Sequence, residues 1–260
     1  MESSSRRVWR RAPHNVLGVA NLCRVLLEDP DLASGLDDRR LQRAEQECIA
    51  VELIVDVGVW RPEEAEGEAA RGGIGLLIID GLLVRRVGAE SRYGAELLGP
   101  GDLLRPWEHD GEDATLPFEA TFRVIERLRL AVLDLKATAR MAPYPEVVSA
   151  LVGRAMQRSR HLAVNMAIAH YPRIDRRLLL FLWHLADRWG RVTPEGIRIP
   201  LRLTHTLLAD LVASRRPSVT TAFTQLEREG HLIRHDNDIV LQGEPPSDFH
   251  TLASTLPDDH

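Results

Sequence analysis

The sequence predicts an α+β chain in three parts: an N-terminal β-roll (cupin-like), one long helix, and a C-terminal pair of short helices followed by a hairpin. Three observations carry the prediction. Up to about residue 140 the apolar residues fall in short runs divided by Gly, Pro and Asp, the pattern of strands and turns. From Pro145 to His170 they recur by four and three residues, a helical period. After Tyr171-Pro172, short apolar stripes are separated by Ser214-Arg215-Arg216-Pro217, and a hairpin pattern follows Gly230.

The 260 residues are comfortable for two domains, and 44% hydrophobic with 27% charged residues describes an ordinary globular chain. The longest apolar run, "GIGLLIIDGLLV", is broken by Asp80 and Gly81. It falls short of the roughly 20 residues of a membrane span and reads as two strands with a turn. "MESSSRRVWRR" lacks the apolar core of a secretory signal, so residues 1–21 read as a flexible basic arm. Cys23 and Cys48 are too few for a disulfide framework or a zinc or iron–sulfur ligand set, and a cytoplasmic compartment is expected.

The net charge of −5 argues against a nucleic-acid partner until its distribution is considered. Residues 171–243 carry eleven arginines against eight acids, whereas residues 244–260 carry four acids and no base. A modestly basic domain between acidic segments is compatible with DNA contact, because the local patch decides.

Residues 22–140 read as the roll. "CIAVELIVDVGVW", "GLLIIDGLLVRRVG", "GAELLGPGDLL", "FEATFRVIE" and "LRLAVLDLK" are its strands, with a tight turn at Gly99–Asp102 and helical pieces within 22–27 and 36–48. Residues 141–171 hold the long helix. Val148, Val152, Ala155, Ser159, Leu162, Met166 and Ala169 have the spacing of a coiled-coil seam, which predicts pairing of two copies; the alternative is packing on its own domain. Proline ends that helix at Tyr171-Pro172, and residues 172–243 form the last domain, with 244–260 an acidic tail.

Within the last domain Thr204 is a suitable N-cap for a helix whose Leu207, Leu208, Leu211 and Val212 face inward. The turn falls at Ala213–Arg215, and Pro217 suits the first turn of the next helix, where no N–H is missed. Val219, Ala222, Phe223 and Leu226 make one buried stripe, leaving Arg216, Ser218, Thr221 and Gln225 outward or flanking. Gly230 stops the helix, and "HLIRHDNDIVLQG" is a hairpin with Asp236-Asn237 at its tip. The whole reads as a winged helix-turn-helix. Arg216 can reach guanine O6 and N7, and Thr204, Thr206 and Ser218 lie where hydroxyls hold phosphates. Arg215, Thr221 and His235 complete the DNA-facing set. The alternative is a winged helix used as a protein contact module, which an acid-free first turn with two arginines disfavours.

In this order of parts, with "DRRLLLFLWHLADRWG" and "LTHTLLADLVASRRPSVTTAFTQLEREGHLIR", residues 22–243 resemble the Crp/Fnr family of bacterial transcription regulators. The resemblance implies a homodimer paired through the long helix and bound to near-palindromic double-stranded DNA, with RNA polymerase as a further partner. It places Arg216 at the family's base-reading arginine and Thr204 at its phosphate-holding threonine. Two positions depart from the pattern. Pro217 stands where glutamate is usual and Thr221 where a second arginine is usual, so a different operator is expected.

The cassette that holds cyclic AMP in such relatives is altered. Gly101-Asp102 is present, but "RPWE" replaces the Gly-Glu of the ribose site, and no arginine follows until Arg123. A buried phosphate without its arginine would cost several kcal/mol, so a conventional cyclic-AMP receptor is not expected. Two options stay open. One is another nucleotide, best cyclic di-GMP, met by Arg105 or the Arg85, Arg86 and Arg92 group with Trp107 stacking on a base. The other is no effector, or an architectural DNA-binding role. A roll enzyme is the competing class, but only His109 with Glu108, Asp110 and Glu112 clusters there, and no metal or catalytic motif is present.

Overall fold

The computed structural model describes residues 21–62, 72–89, 92–106, 118–235 and 238–246. The basic arm up to residue 20, the tail beyond residue 246, Trp107, the His109 cluster and the Asp236-Asn237 tip lie outside them, as do the side chains of Arg92 and His235. The contacts divide the chain into two compact units, residues 1–91 with 97–158 and residues 92–96 with 159–260.

The first unit opens with β1 (Asn21–Arg24), α1 (Val25–Glu28), a 3-10 turn at Pro30–Ala33 and α2 (Asp38–Glu47). Asp37 starts α2 by accepting from Arg40 N at 2.9 Å. Strands β2 (Ile49–Val55), β3 (Gly58–Trp60), β4 (Gly75–Ala89), β5 (Arg92–Leu98), β6 (Leu103–Leu104) and β7 (Glu119–Leu133) follow. The sheet order is β1-β2-β7-β4-β5, with β3 added to β7 and β6 to β4.

Two sequence expectations need correction here. "GLLIIDGLLVRRVG" is one strand, β4, and "FEATFRVIE" with "LRLAVL" is one strand, β7. They pair antiparallel from Gly75↔Leu133 to Gly88↔Glu119. The Asp80-Gly81 break is a bulge inside β4, with register shifts between Ile78 and Leu83. Gly81 has φ +92, and a Cβ there would meet the Arg127 carbonyl at 2.2 Å. A glycine bulge bends a strand without ending its ladder. The second strand stops before Lys136 because Asp134 caps a helix, accepting from Ala137 N at 2.8 Å; this is α3 (Leu135–Met141).

Both faces of the sheet are covered. Leu76, Ile78, Leu83, Phe122, Val124 and Leu130 form one core with Trp60, whose ring meets Phe122 edge-on at 5.9 Å. Leu77, Ala131 and Leu133, one residue out of phase, pack on the other face with Val25, Leu26, Ala44 and Met141.

Helix α4 (Pro145–Ala169) runs through the division between the units. Pro145 opens it, Glu146 in its first turn suits the helix dipole, and good helix formers (Ala, Leu, Met, Gln and Arg) predominate after Gly153. Val147 and Leu151 are fully buried in the first unit's second core, and their burial contributes about 2 kcal/mol each. Further along the same side, Arg154 pairs with Asp29 at 3.0 Å and Arg158 donates to the Leu103 carbonyl at 3.3 Å.

The second unit continues with α5 (Ile174–Trp189), β8 (Arg191–Thr193), β9 (Gly196–Ile199), α6 (His205–Leu211), α7 (Arg216–Arg228), β10 (Leu232–His235) and β11 (Asp238–Leu241). Leu178 through Leu182 and Leu185 of α5 are buried, and α7 packs on α5 and α6. The hairpin β8–β9 joins the wing in one sheet of order β10-β11-β9-β8. His161 of α4 meets His184 of α5 edge-on at 5.2 Å, and burial pushes His184 down to about 4.

Candidate nucleic-acid interface

Helix α6 begins where Thr204, in extended backbone, accepts from Leu207 N at 3.1 Å. Its hydroxyl proton remains available to a phosphate. Leu207, Leu208 and Leu211 are buried with Val212, which anchors the helix on the domain core. A short helix leaves its last carbonyls without partners, and the chain must also turn sharply after Val212. Arg177 of α5 meets that need. Its Nη1 donates to the carbonyls of Val212 at 3.0 Å and Ala213 at 3.2 Å, while its Nε donates to Tyr171 O at 3.0 Å. Ala213 holds a positive φ of 49°, and Ser214 N closes back on Ala209 O at 2.9 Å.

The turn delivers Arg215 in extended backbone as the N-cap of α7, with Arg216 and Pro217 as its first residues and no acid in its first turn. Val219, Ala222, Phe223 and Leu226 are buried, as their spacing predicts. Gly230 then takes φ +77 at the end of the helix. Arg215, Arg216, Thr220, Thr221 and Thr224 are exposed, and Ser218 is half-buried. Among the described residues, Arg215 and Arg216 have no ion pair or side-chain hydrogen bond. Thr220, Thr221 and Thr224 each donate to the carbonyl four residues back, at 3.0, 3.2 and 3.1 Å. Their protons are spent inside the helix, so they offer lone pairs and methyl groups outward. Gln225 is tied to Arg228 and Glu229.

One residue absent from the sequence-derived set joins these parts. His205 opens α6, with Nδ1 at 3.0 Å from Thr220 Oγ1 and Nε2 at 2.8 Å from an Nη of Arg234 on β10. The Arg234 guanidinium lies over the Phe223 ring at 4.8 Å, and the His205 ring lies 5.1 Å from it. Burial first, then Arg234 and Arg216, hold the His205 imidazole below its usual pKa. Thr206 is exposed in the same first turn. No local signal marks His205, because its partners lie 15 and 29 residues away.

Residues 176–243, which hold this arrangement, match the family of Crp-like helix-turn-helix domains. The C-terminal domain is a Crp-like helix-turn-helix. A stretch of 77 residues is 39% identical to the global nitrogen regulator of Synechocystis sp., covering 29% of this chain and 34% of that protein. The chain thus spans about a third of that regulator's length. Beyond the Crp-like domain, the fold matches solved structures. A cyclic nucleotide-binding domain containing protein from Listeria monocytogenes superposes with a TM-score of 0.58 at 15% identity, over 73% of this chain and 87% of that one. A CooA mutant from Carboxydothermus hydrogenoformans gives 0.57 at 15% identity, over 82% and 90%. The c-di-GMP responsive global regulator CLP of Xanthomonas campestris gives 0.52 at 17% identity, over 80% and 100%. The Crp/Fnr resemblance seen in the sequence is borne out, and the chain has that fold.

Of the arginines expected to form an effector site, the described pair Arg85 and Arg86 is not brought together. Arg85 and Arg86 are neighbours on β4, so they point to opposite faces of the sheet. Arg85 lies opposite Phe122, on the face of Leu83, while Arg86 lies opposite Thr121. Arg105 is exposed after β6. On α4, Val148 is partly buried against the first unit's core, Leu162 and Ala169 are half-buried, and Val152, Ala155, Ser159 and Met166 are exposed.

Arg177→Met should remove the donors to three carbonyls while keeping the stem. The expected loss is roughly 2 kcal/mol of unfolding free energy, with faster amide exchange at Ala213 and Ser214. Exchange unchanged at those amides would show that the turn holds without Arg177.

Proposed function

We propose that this chain is a homodimeric, sequence-specific DNA-binding transcription regulator. The carrying observation is the exposed pair Arg215 and Arg216, which have no carboxylate partner among the described residues and open a helix with no acid in its first turn. Two always-charged guanidiniums at a helix N-terminus suit an anion, and Arg216 has the reach for guanine O6 and N7 in the major groove. Behind it, Thr221 and Thr224 offer acceptors and methyl groups, which suit the amino groups of adenine or cytosine and the methyl of thymine. Thr204, Thr206 and Ser218 flank them as phosphate contacts, and His235 sits on the wing strand β10. Arg215 neutralises backbone phosphate. RNA polymerase is the expected further partner.

The dimer rests on α4. Val152 is 54% exposed and Met166 66%, and Ala155 and Ser159 continue the same side of the helix. Leu162 and Ala169 complete the seam, and Val148 anchors its start. Large apolar residues at seam spacing on an exposed helix face are what a second copy would cover.

For the effector, the roll's Arg85 face supports an anionic ligand, and we assign the class as a cyclic dinucleotide. The CLP regulator of Xanthomonas campestris responds to c-di-GMP, which supports the choice. Because Arg85 and Arg86 face apart, Arg86 does not serve that side of the sheet.

Selection from a random duplex pool should yield a near-palindromic site. Arg216→Ala should relax preference at one position in each half-site and cost about 1–3 kcal/mol of discrimination. Equal weakening on every duplex would make Arg216 a phosphate contact and favour an architectural role. Light scattering at micromolar concentration should find the wild type dimeric and Val152→Glu/Met166→Glu monomeric; a dimer that survives both changes removes the seam. Melting against cyclic AMP, cyclic GMP and cyclic di-GMP should show a rise with cyclic di-GMP alone, equivalent to about 2.7 kcal/mol at 100 times the dissociation constant. No rise with any nucleotide would indicate regulation without an effector.

A further inference from the structure

The contacts of His205 have a direction that follows from donor chemistry. Arginine has five N–H donors and no acceptor. The 2.8 Å approach of Arg234 therefore requires a bare Nε2 on His205. A neutral ring with Nε2 bare carries its proton on Nδ1, and that N–H faces Thr220 Oγ1 at 3.0 Å. Thr220 in turn donates its hydroxyl to the Arg216 carbonyl at 3.0 Å. The result is one directed chain from the wing, through α6, to the first residue of α7. Phe223 forms its floor, under both the guanidinium and the imidazole.

Resting on the DNA-binding reading, we propose that His205 is a positioning residue for DNA recognition. Its neutral, Nδ1-protonated ring sets the wing's Arg234 and the opening of the recognition helix in one DNA-contacting geometry. Protonation would break the chain at its centre, because both nitrogens would then be donors and Arg234 would meet an N–H. The cation would also face Arg234 on β10 and Arg216 on α7, with Glu227 of α7 as the facing carboxylate that favours it. Burial and the two arginines keep the ring neutral near pH 7. The structural consequence has a sign opposite to that of a phosphate-contacting histidine. Acid should weaken DNA binding through His205, whereas a direct phosphate contact would strengthen it as charge is gained.

The test uses the full-length protein and the duplex that the wild type selects from a random pool at pH 7.5. Nitrogen-15 shifts, with the His205 signals assigned by their loss in His205→Gln or His205→Asn, should report the Nδ1–H tautomer at pH 7.5. Affinity of the wild type should fall about tenfold more between pH 7.5 and pH 5 than that of His205→Gln, whose amide oxygen can still accept from Arg234 but cannot titrate. Comparing the two proteins cancels every pH effect that they share. An Nε2–H tautomer overturns the proposal, as do equal pH profiles or a wild type that gains affinity in acid relative to the variant. If the wild type selects no duplex, the DNA-binding reading falls and takes this role with it. A good operator combined with the wrong tautomer removes the role of His205 alone. If neither histidine variant folds, Arg234→Met, which leaves the imidazole in place and removes the donor that protonation would oppose, should lose most of the wild type's fall in affinity between pH 7.5 and pH 5, and an unchanged fall overturns the proposal.

Discussion

The placement of the recognition helix depends on one guanidinium. Arg177 serves carbonyls at both ends of a short path: Tyr171, just after α4, and Val212 with Ala213, at the turn before α7. A helix of seven residues cannot satisfy its own C-terminal carbonyls, and a turn through a positive φ at Ala213 adds local cost. A planar, always-charged fork with several donors answers both demands at once, which the point charge of a lysine could not do as well. From that turn onward, the exposure of Arg215 and Arg216 and the burial of Phe223 follow from the ordinary helical period.

The outer surface of α7 owes its character to where protons are already committed. Three threonines give their hydroxyl protons to the helix itself, so the face behind the arginines accepts hydrogen bonds and presents methyl groups. Cationic donors at the helix start and acceptors along its side form a graded surface. Pro217, at the position where a carboxylate is usual in the resembling family, keeps the first turn free of negative charge. The wing is not an independent appendage of this surface. Arg234 reaches across to His205 and lies over Phe223, so strand β10 and the two helices share one small polar-aromatic cluster.

The roll shows a different use of the same elementary rules. A glycine bulge lets β4 keep pairing with β7 through a bend that would otherwise require a turn. The two-residue period of the strand then sends Leu76 and Ile78 to one core and Leu77 to the other, and it separates Arg85 from Arg86 in the same way. Adjacent charges in a sequence look like one site, yet in a strand they serve two surfaces.

Much of this was legible in the residues alone. The long helix, the Thr204 cap, the stripe Val219–Leu226, the stop at Gly230 and the paired wing strands follow from periods and cap chemistry that act within a few residues. The Crp/Fnr resemblance rests on the same local text. The continuity of β4 and β7 was not legible, because a bulge and a turn have the same glycine signature until the partner strand is known. Nor was the β8–β9 hairpin, whose strands are stabilised by joining the wing. Sequence by itself determined the long helix, the two short helices after it with their buried faces, and the arginine pair that opens α7. Only the tertiary structure decided that Arg177 holds the turn, that Arg85 and Arg86 part, and that His205 links wing to helix. The physical reason is range: propensity and periodicity act over one or two turns of chain, whereas these bonds join groups up to 36 residues apart that only the packed core brings within 3.2 Å or less.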